Sequence, residues 1–407
     1  MKITHIHIER FRGFQNEDFE VGSLLTAIAG QNGTQKSTLL GIITQTFTLK
    51  TEDSMRVEKP LCGGSYISAF KDKFRLSPTF DKPKGHEWTI SFDAGMDDFT
   101  VESIKRTGDP NVRFWKKGAR QEGDGYISFP TIFLSLKRLV PVAEEAKIIT
   151  DDTLLTQEEL NEFKQLHNKI LIAQTPISSA TTITSKNKQS IGVSTELYDW
   201  NQNSMGQDNL GKIILALFSF KRLHDKYPRQ YKGGILAIDE MDATMYPASQ
   251  VELLKVLRKY ASKLNLQILF TTHSMSLLKA MDDLVQEVTK KEETANQAKI
   301  LYLKKVDDKI AIKQGVNFKG IQLDLNVVAE GNNRKKNRIT AYTEDKENIL
   351  FVKAILKSKA FVLDFVDVTL PCSTLMELVT KRVPAFIYPY SIVIFCLLYT
   401  SDAADDS

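Results

Sequence analysis

Long apolar runs are missing from this 407-residue sequence. No stretch of 18 or more apolar residues occurs, so no membrane-spanning helix is expected. Cysteine is scarce. Cys62, Cys372 and Cys396 are the three, far apart and without metal-type spacing, which fits a reducing cytoplasm. Between residues 38 and 203 no sustained heptad array occurs either, which disfavours a long coiled-coil arm. Neither sign of charge dominates: 54 Lys and Arg stand against 50 Asp and Glu, a net +4. That balance permits nucleic-acid binding without arguing for it. The N-terminus, Met1 to Ile8, alternates polar and apolar residues like a strand and unlike a signal peptide. What remains is ordinary: 42% hydrophobic and 26% charged residues, enough for a normal core and two or three domains.

The most informative stretch is Gly30-Gln31-Asn32-Gly33-Thr34-Gln35-Lys36-Ser37-Thr38. An apolar run, Leu24 to Ala29, precedes it and reads as a buried strand. Leu39 to Ile43 follows and reads as the start of a helix. Strand, glycine-bearing loop, Lys-Ser and helix are the parts of a phosphate-binding loop. Backbone N–H groups would wrap the phosphates, and the helix N-terminus would add partial positive charge. Lys36 would reach the β- and γ-phosphates of ATP, and Ser37 would hold Mg²⁺. Gly30, Asn32, Gly33, Lys36, Ser37 and Thr38 are thus the candidate nucleotide-binding residues. The pattern departs from G-x-x-x-x-G-K-[ST] at one place: Gln35 stands where the second glycine belongs. If that position needs φ > 0, Gln is penalised there.

Further along, Trp88 to Phe92, Phe99 to Ile104 and Val112 to Trp115 read as strands of an antiparallel lobe, with a turn at Gly108 to Asn111. Their aromatic residues are read as core. Thr131 to Leu136 is a buried strand that runs into Lys137-Arg138. Gln157 to Ile172 has helical period, with Thr156 as N-cap. Residues 175 to 195, rich in Ser and Thr, read as loop or weak strand. Lys232 to Glu240 is an apolar strand ending in two acids. Asp239 would anchor Mg²⁺ through its water shell, and Glu240 would polarise the attacking water as general base. A helix, Gln250 to Leu264, leads to a strand, Leu266 to Thr272, that ends at His273, placed to contact the γ-phosphate.

The opening strand with Phe11-Arg12-Gly13-Phe14, followed by the phosphate loop, resembles the start of ABC-type ATPase heads in the SMC and OLD (overcoming lysogenisation defect) groups. Arg10 and Arg12 either lie near the nucleotide or are solvated edge charges. Ser204-Met205-Gly206-Gln207, ahead of a helix from Asn209 to Leu223, resembles the ABC signature Ser-x-Gly-Gln. The resemblance implies that Ser204, Gly206 and Gln207 form a second anion site for the γ-phosphate held by another copy. ATP would then join two heads into a homodimer. Met241 to Pro247 occupies the place of the D-loop and resembles the OLD-like version, which would set Asp242 at the dimer seam. The resemblance runs from residue 1 to about 280.

The last third opens a new unit. Ala298 to Leu303 and Lys309 to Ile312 read as hairpin strands around Val306-Asp307-Asp308. Asn332 to Arg338 is a basic run, either a solvated linker or a contact to nucleic-acid phosphates. Ile339 to Asn348, a strand ending in an acid and leading into a helix from Ile349 to Leu356, resembles the start of a TOPRIM nuclease domain. Glu344 and Glu347 would be metal ligands there, with Asp345 in place of the usual glycine. Two-metal chemistry needs several clustered carboxylates. The strand Ser391 to Phe395 follows, but the expected Asp-x-Asp does not. Residues 396–407 resemble a translated sequencing adapter, so the native chain is expected to leave this sequence near Phe395.

The expected fold is therefore α/β: an ABC-type P-loop head over residues 1–285 with an antiparallel β lobe and a helical lobe, terminal strands and linker over 286–338, and a partial TOPRIM-like domain over 339–395. The expected activity is ATP hydrolysis with ATP and Mg²⁺, controlling a nuclease that acts on nucleic acid, with phage defence and a defence-system partner protein as its setting. A non-nuclease ATPase switch, repair scaffold or controller of a separate nuclease is the main alternative. A transporter ATPase subunit is the third, disfavoured by the opening motif and the appended unit.

Overall fold

The computed structural model describes residues 1–66, 73–93, 95–105, 112–118, 124–140, 148–151, 154–173, 175–185, 189–330, 339–386 and 391–394. The turn expected at Gly108 to Asn111, the basic run up to Arg338 and the tail 396–407 lie wholly or almost wholly outside these residues. The chain divides into two compact units, Met1–Leu325 and Asn326–Ser407.

The first unit is built on a six-stranded sheet. Its order is Lys309–Lys313, Ala298–Val306, Leu25–Gly30, Leu266–Thr272, Gly234–Ile238, Thr131–Leu134. The first pair is antiparallel and every later pair is parallel. The central strands are short apolar runs buried on both faces, the pattern that parallel sheets demand. Alternation sorts their side chains into two cores. Leu25, Ala27, Leu236, Ile238, Ile268 and Phe270 face one, with the helices Met205–Lys226, Pro247–Lys263 and Met275–Thr289. Ile28, Ile235, Ala237, Leu269 and Leu301 face the other, with the helix Lys36–Thr44 and the β lobe.

That lobe is a five-stranded antiparallel sheet, Phe14–Glu20, Ile3–Phe11, Glu87–Phe92, Phe99–Lys105 and Val112–Lys116. Phe11, Trp88 and Phe114 pack at its centre with ring centroids 5.1–5.7 Å apart, so these aromatics are core. Residues 1–29 hold three strands where the sequence suggests two. Phe14–Glu20 carries Gln15, Asn16, Glu17 and Asp18, a polar edge strand with weak apolar signal. Arg10 is an exposed charge on its strand, one of the two readings open for it, and Arg12 is partly buried. Arg10 pairs with Glu87 at 2.8 Å, and Arg12 holds the buried Asp81 at 3.0 and 3.1 Å.

The lobe expected to be helical carries a sheet as well. Ser179–Thr184 and Gln189–Ser194, read as loop or weak strand, pair with each other and with Ile149–Asp151. The helix Gln157–Leu171 beside them starts with the expected Thr156, in a full capping box with Glu159. The hairpin after residue 298 forms as read, with Asp307 at φ 54°. Its first strand, however, is interior: Ala298–Val306 runs parallel to Leu25–Gly30. The main sheet therefore extends past residue 285, because Ile300, Leu301, Tyr302 and Leu303 are buried on both faces.

The second unit holds a three-stranded parallel sheet, Leu363–Phe365, Ile339–Thr343, Ser391–Ile394, with the helices Lys346–Leu356 and Cys372–Thr380. Among the described residues, no helix is long and apolar enough to cross a membrane.

Candidate functional site

Three strands of the main sheet end side by side. Thr272 is in register with Ala29, and Ile238 with Phe270. One step further along each strand come Gly30 with its loop, His273, and Asp239 with Glu240. Ligands bind outside the carboxyl ends of parallel strands, and here the sequence places a loop, a histidine and two acids at that edge.

The loop has the backbone its residues require. Gly30 sits at φ 151°, and a Cβ there would lie 2.4 Å from the Leu303 carbonyl oxygen, so only glycine fits. Gln35 is left-handed at φ 62° and immediately precedes the helix Lys36–Thr44. The position does demand φ > 0, and Gln accepts a cost of about 1 kcal/mol there. Its amide packs against Gly13, where a Cβ would meet Gln35 Nε2 at 2.9 Å. The Gln35 side chain thus wedges the loop against the turn of the β lobe.

Lys36 is buried, and its Nζ donates to the carbonyls of Gly30 at 3.1 Å and Gln31 at 2.9 Å. Burial pulls its pKa down to about 8, against the opposing pull of Glu240, Asp239 and Asp242. Ser37 Oγ donates to Asp239 Oδ1 at 2.8 Å, joining positions 202 residues apart. Thr271 Oγ1 donates to the same oxygen at 2.7 Å and accepts from the Glu240 N–H at 2.6 Å. Glu240 itself is left-handed, at φ 51°.

His273 N–H donates to Asp242 Oδ2 at 3.4 Å. The imidazole pKa is lowered by burial first and by Lys36 next. Asp242 Oδ1 is buried and has no hydrogen-bond partner among the described residues. A serine hydroxyl and a carboxylate in contact, with a further unpartnered carboxylate oxygen in the same acidic group, form a hard oxygen donor set. It suits Mg²⁺, which keeps most of its waters and takes one or two carboxylates. Among the described residues there is no group of three or more His, Cys, Asp or Glu placed to hold a metal ion.

Ser204 caps the helix Met205–Lys226. Its Oγ accepts from Gln207 N at 3.3 Å, and Gln207 Oε1 accepts from Ser204 N at 2.8 Å. The helix therefore starts four residues before Asn209, and Gln207 is occupied, with Nε2 on the Tyr198 hydroxyl at 2.7 Å. Ser204 is exposed and Gly206 buried. A Cβ on Gly206 would lie 2.5 Å from the Thr244 carbonyl, so this glycine lets the turn at Ser204 touch the loop after Glu240.

Sequence reasoning missed three members of this network. Thr271 orients both acids. Arg138, 2% exposed, donates to the carbonyls of Asp239 and Glu240. Asn209, fully buried, bonds Arg138 and the Ala243 carbonyl. A polar Asn leading the apolar run Leu210 to Phe220 was the one signal available.

In the second unit, Glu344 Oε1 accepts from the Cys372 N–H at 3.3 Å, and Glu347 is exposed in the first turn of its helix. Asp345, at the expected glycine position, caps that helix through Asn348 N at 2.8 Å. The two glutamates are not joined by any third ligand among the described residues.

Loop, strand ends and acids thus meet at one edge of an α/β sheet. Residues 134–278 match the family model described as an AAA ATPase domain. The matched stretch holds Ser204, Asp239, Glu240 and His273 and begins after the phosphate loop. The fold is similar to the SMC head domain from Thermotoga maritima, at 14% identity and a TM-score of 0.43, over 78% of this chain and 100% of that one. It is also similar to the Smc head domain with an extended coiled coil from Pyrococcus furiosus, bound to the C-terminal domain of ScpA, at 12% identity and 0.43, over 81% and 99%. A third likeness is the recombination mediator protein RecF, at 12% identity and 0.39, over 77% and 98%. No curated protein matches the sequence.

Proposed function

We propose that this chain binds and hydrolyses ATP with Mg²⁺, and that ATP joins two copies into a dimer. The hydrogen bond between Ser37 and Asp239 carries the reading, because it brings the loop and the acid strand to one point. Amides of the loop hold the phosphates, and Lys36 turns from the Gly30 and Gln31 carbonyls to the β- and γ-phosphates. Ser37 and Asp239 would hold Mg²⁺, which neutralises charge developing on the phosphates. Glu240 takes a proton from the attacking water. His273 contacts the γ-phosphate. Ser204 and Gly206, at an exposed helix N-terminus, offer an anion site to the nucleotide of the second copy, and Asp242 lies at the seam. Measured ATP turnover tests this directly: none in the purified chain, with Mg²⁺ present, refutes it.

For the cycle's output we propose an OLD-like arrangement in which ATP-driven pairing controls action on nucleic acid, in phage defence, in the cytoplasm and with a defence-system partner. The strand, Glu344 and helix order of the second unit supports a TOPRIM-like half. A switch without its own nuclease is favoured by one observation: Glu344 is bonded to a backbone N–H and Glu347 faces solvent, with no third ligand beside them among the described residues. Divalent-metal-dependent cleavage of single- or double-stranded DNA separates the two. Cleavage lost in Glu344→Gln supports the nuclease, and none supports the switch.

A further inference from the structure

Arg138 stands outside every motif read from the sequence. The strand Thr131–Leu134 ends four residues before it, and the chain turns back through the 3-10 turn Leu136–Leu139. Its guanidinium is buried among oxygens. Nε donates to Asn209 Oδ1 at 2.7 Å. Nη1 donates to the carbonyls of Leu134 at 3.3 Å, Ser135 at 3.1 Å and Asp239 at 2.6 Å. Nη2 donates to the Glu240 carbonyl at 2.8 Å. Asn209 returns its own amide to the Ala243 carbonyl at 2.8 Å. One Arg–Asn pair thus grips the backbone on both sides of the acidic turn.

A purely structural role would not call for this chemistry. Burying a guanidinium is costly, and apolar residues hold strand ends together as well or better. No carboxylate lies within ion-pair distance of Arg138 among the described residues. The acids Asp239, Glu240 and Asp242 instead balance it at longer range, while burial lowers its pKa to about 10. Two of the bound carbonyls belong to Asp239 and Glu240, the residues that need fixed side-chain directions. Glu240 is left-handed, so its carboxylate direction depends on what holds its peptide groups: Thr271 on its N–H and Arg138 on its carbonyl.

The other end of the link is the signature helix. Asn209 lies in the second turn of Met205–Lys226, five residues after Ser204. Gly206, one turn earlier, abuts the Thr244 carbonyl next to Ala243. A displacement of this helix end moves Asn209, and with it both Arg138 and the Ala243 carbonyl.

We propose that Arg138, together with Asn209, is a positioning pair that sets the Glu240 carboxylate through its backbone and couples that setting to the helix headed by Ser204. Contact of a second copy at Ser204 would thereby adjust hydrolysis without touching Glu240. The inference rests on the ATPase reading given above.

The test uses the full chain as wild type, Arg138→Lys, Asn209→Ala and the double variant. Thermal melting reports folding, a fluorescent ATP analogue reports Kd, and ATP turnover reports kcat. Lys keeps the charge but has neither the planar fork nor enough donors for these oxygens. The expected result is a kcat lower by at least about tenfold in Arg138→Lys and by about threefold or more in Asn209→Ala, with Kd changed by less than about twofold and the double variant no worse than Arg138→Lys. Unchanged kcat in a folded variant overturns the proposal. Parallel loss of affinity and turnover also overturns it, because the pair would then serve binding. If Arg138→Lys does not fold, Asn209→Ala decides on the same criteria. A wild type that binds ATP without turning it over refutes the ATPase reading, and this proposal with it.

Discussion

Two turns of this chain look alike in sequence. A strand ends at Ile238 and gives Asp239-Glu240, and another ends at Thr343 and gives Glu344 with Glu347 beyond. Their surroundings differ. Asp239 is 5% exposed and takes hydroxyls from Ser37, in the first turn of the helix Lys36–Thr44, and from Thr271, on the neighbouring strand. Lys36 and His273 lie close enough for Asp239 to raise their pKa values, but burial outweighs it and lowers both. Arg138 holds the backbone behind it. Glu344 has one backbone N–H, Glu347 faces water, and nearby Lys346 and Asp367 form an exposed pair at 3.3 Å, of the kind worth little. An acid after a strand becomes a site when distant segments converge on it; the local pattern is the lesser part.

The contrast can be broken at several points. Lys36→Ala removes the buried amine at the loop, and ATP affinity should fall by more than about a hundredfold in a nucleotide titration. Affinity retained within tenfold would undo the loop assignment. Glu240→Gln should keep binding and lower turnover by about 10²-fold or more, in line with a lost general base; normal turnover sinks the mechanism.

Acid sensitivity should separate scaffold from site. His167 is buried beside Phe163, neither ring nitrogen has a hydrogen-bond partner among the described residues, and burial lowers its pKa to about 4. The folded state then binds fewer protons than the unfolded between that value and about 6.5. Stability is therefore complete above pH 6.5 and falls as the pH drops toward 4, by at most roughly 3 kcal/mol. Melting temperature against pH should show this slope, reduced in His167→Phe. An equal slope in that variant would place the acid sensitivity elsewhere, for instance in buried His86, whose pKa is also lowered.

Smaller effects complete the series. Gln35→Gly relieves a left-handed side chain and should change stability by no more than about 1 kcal/mol in either direction, since the wedge on Gly13 is lost too. A loss above twice that in a denaturant melt would mean the wedge dominates. Glu344→Gln with Glu347→Gln should leave ATP affinity within about twofold. A larger change would tie the second unit's acids to the nucleotide.

Much of the head was readable. The glycine-bearing loop, the Asp-Glu strand, the His strand and the Thr156 helix start are local patterns with local causes, and each forms where its residues suggest, whereas the helix expected from Asn209 begins four residues earlier, at Met205. What escaped was nonlocal. Ala298–Val306 reads like an outer hairpin strand, and only pairing with Leu25–Gly30 makes it interior. Phe14–Glu20 is too polar to signal a strand without its partner. Ser179–Thr184 gains its strand from the pairing with Gln189–Ser194. Arg12 reads locally as a nucleotide contact or a solvated edge charge, because its partner Asp81 is 69 residues away. Arg138, Asn209 and Thr271 carry no motif because their meaning lies in backbone carbonyls and a carboxylate that the fold brings to them.

On the proposed reading, a second copy completes the ATP site. The most direct measurement is the molar mass of Glu240→Gln by light scattering, with ATP and Mg²⁺, with ADP, and with Ser204→Arg added. A doubled mass is expected with ATP and Mg²⁺ but not with ADP, and it should be lost when Ser204 is replaced. A mass that stays that of one chain while ATP is bound would contradict it.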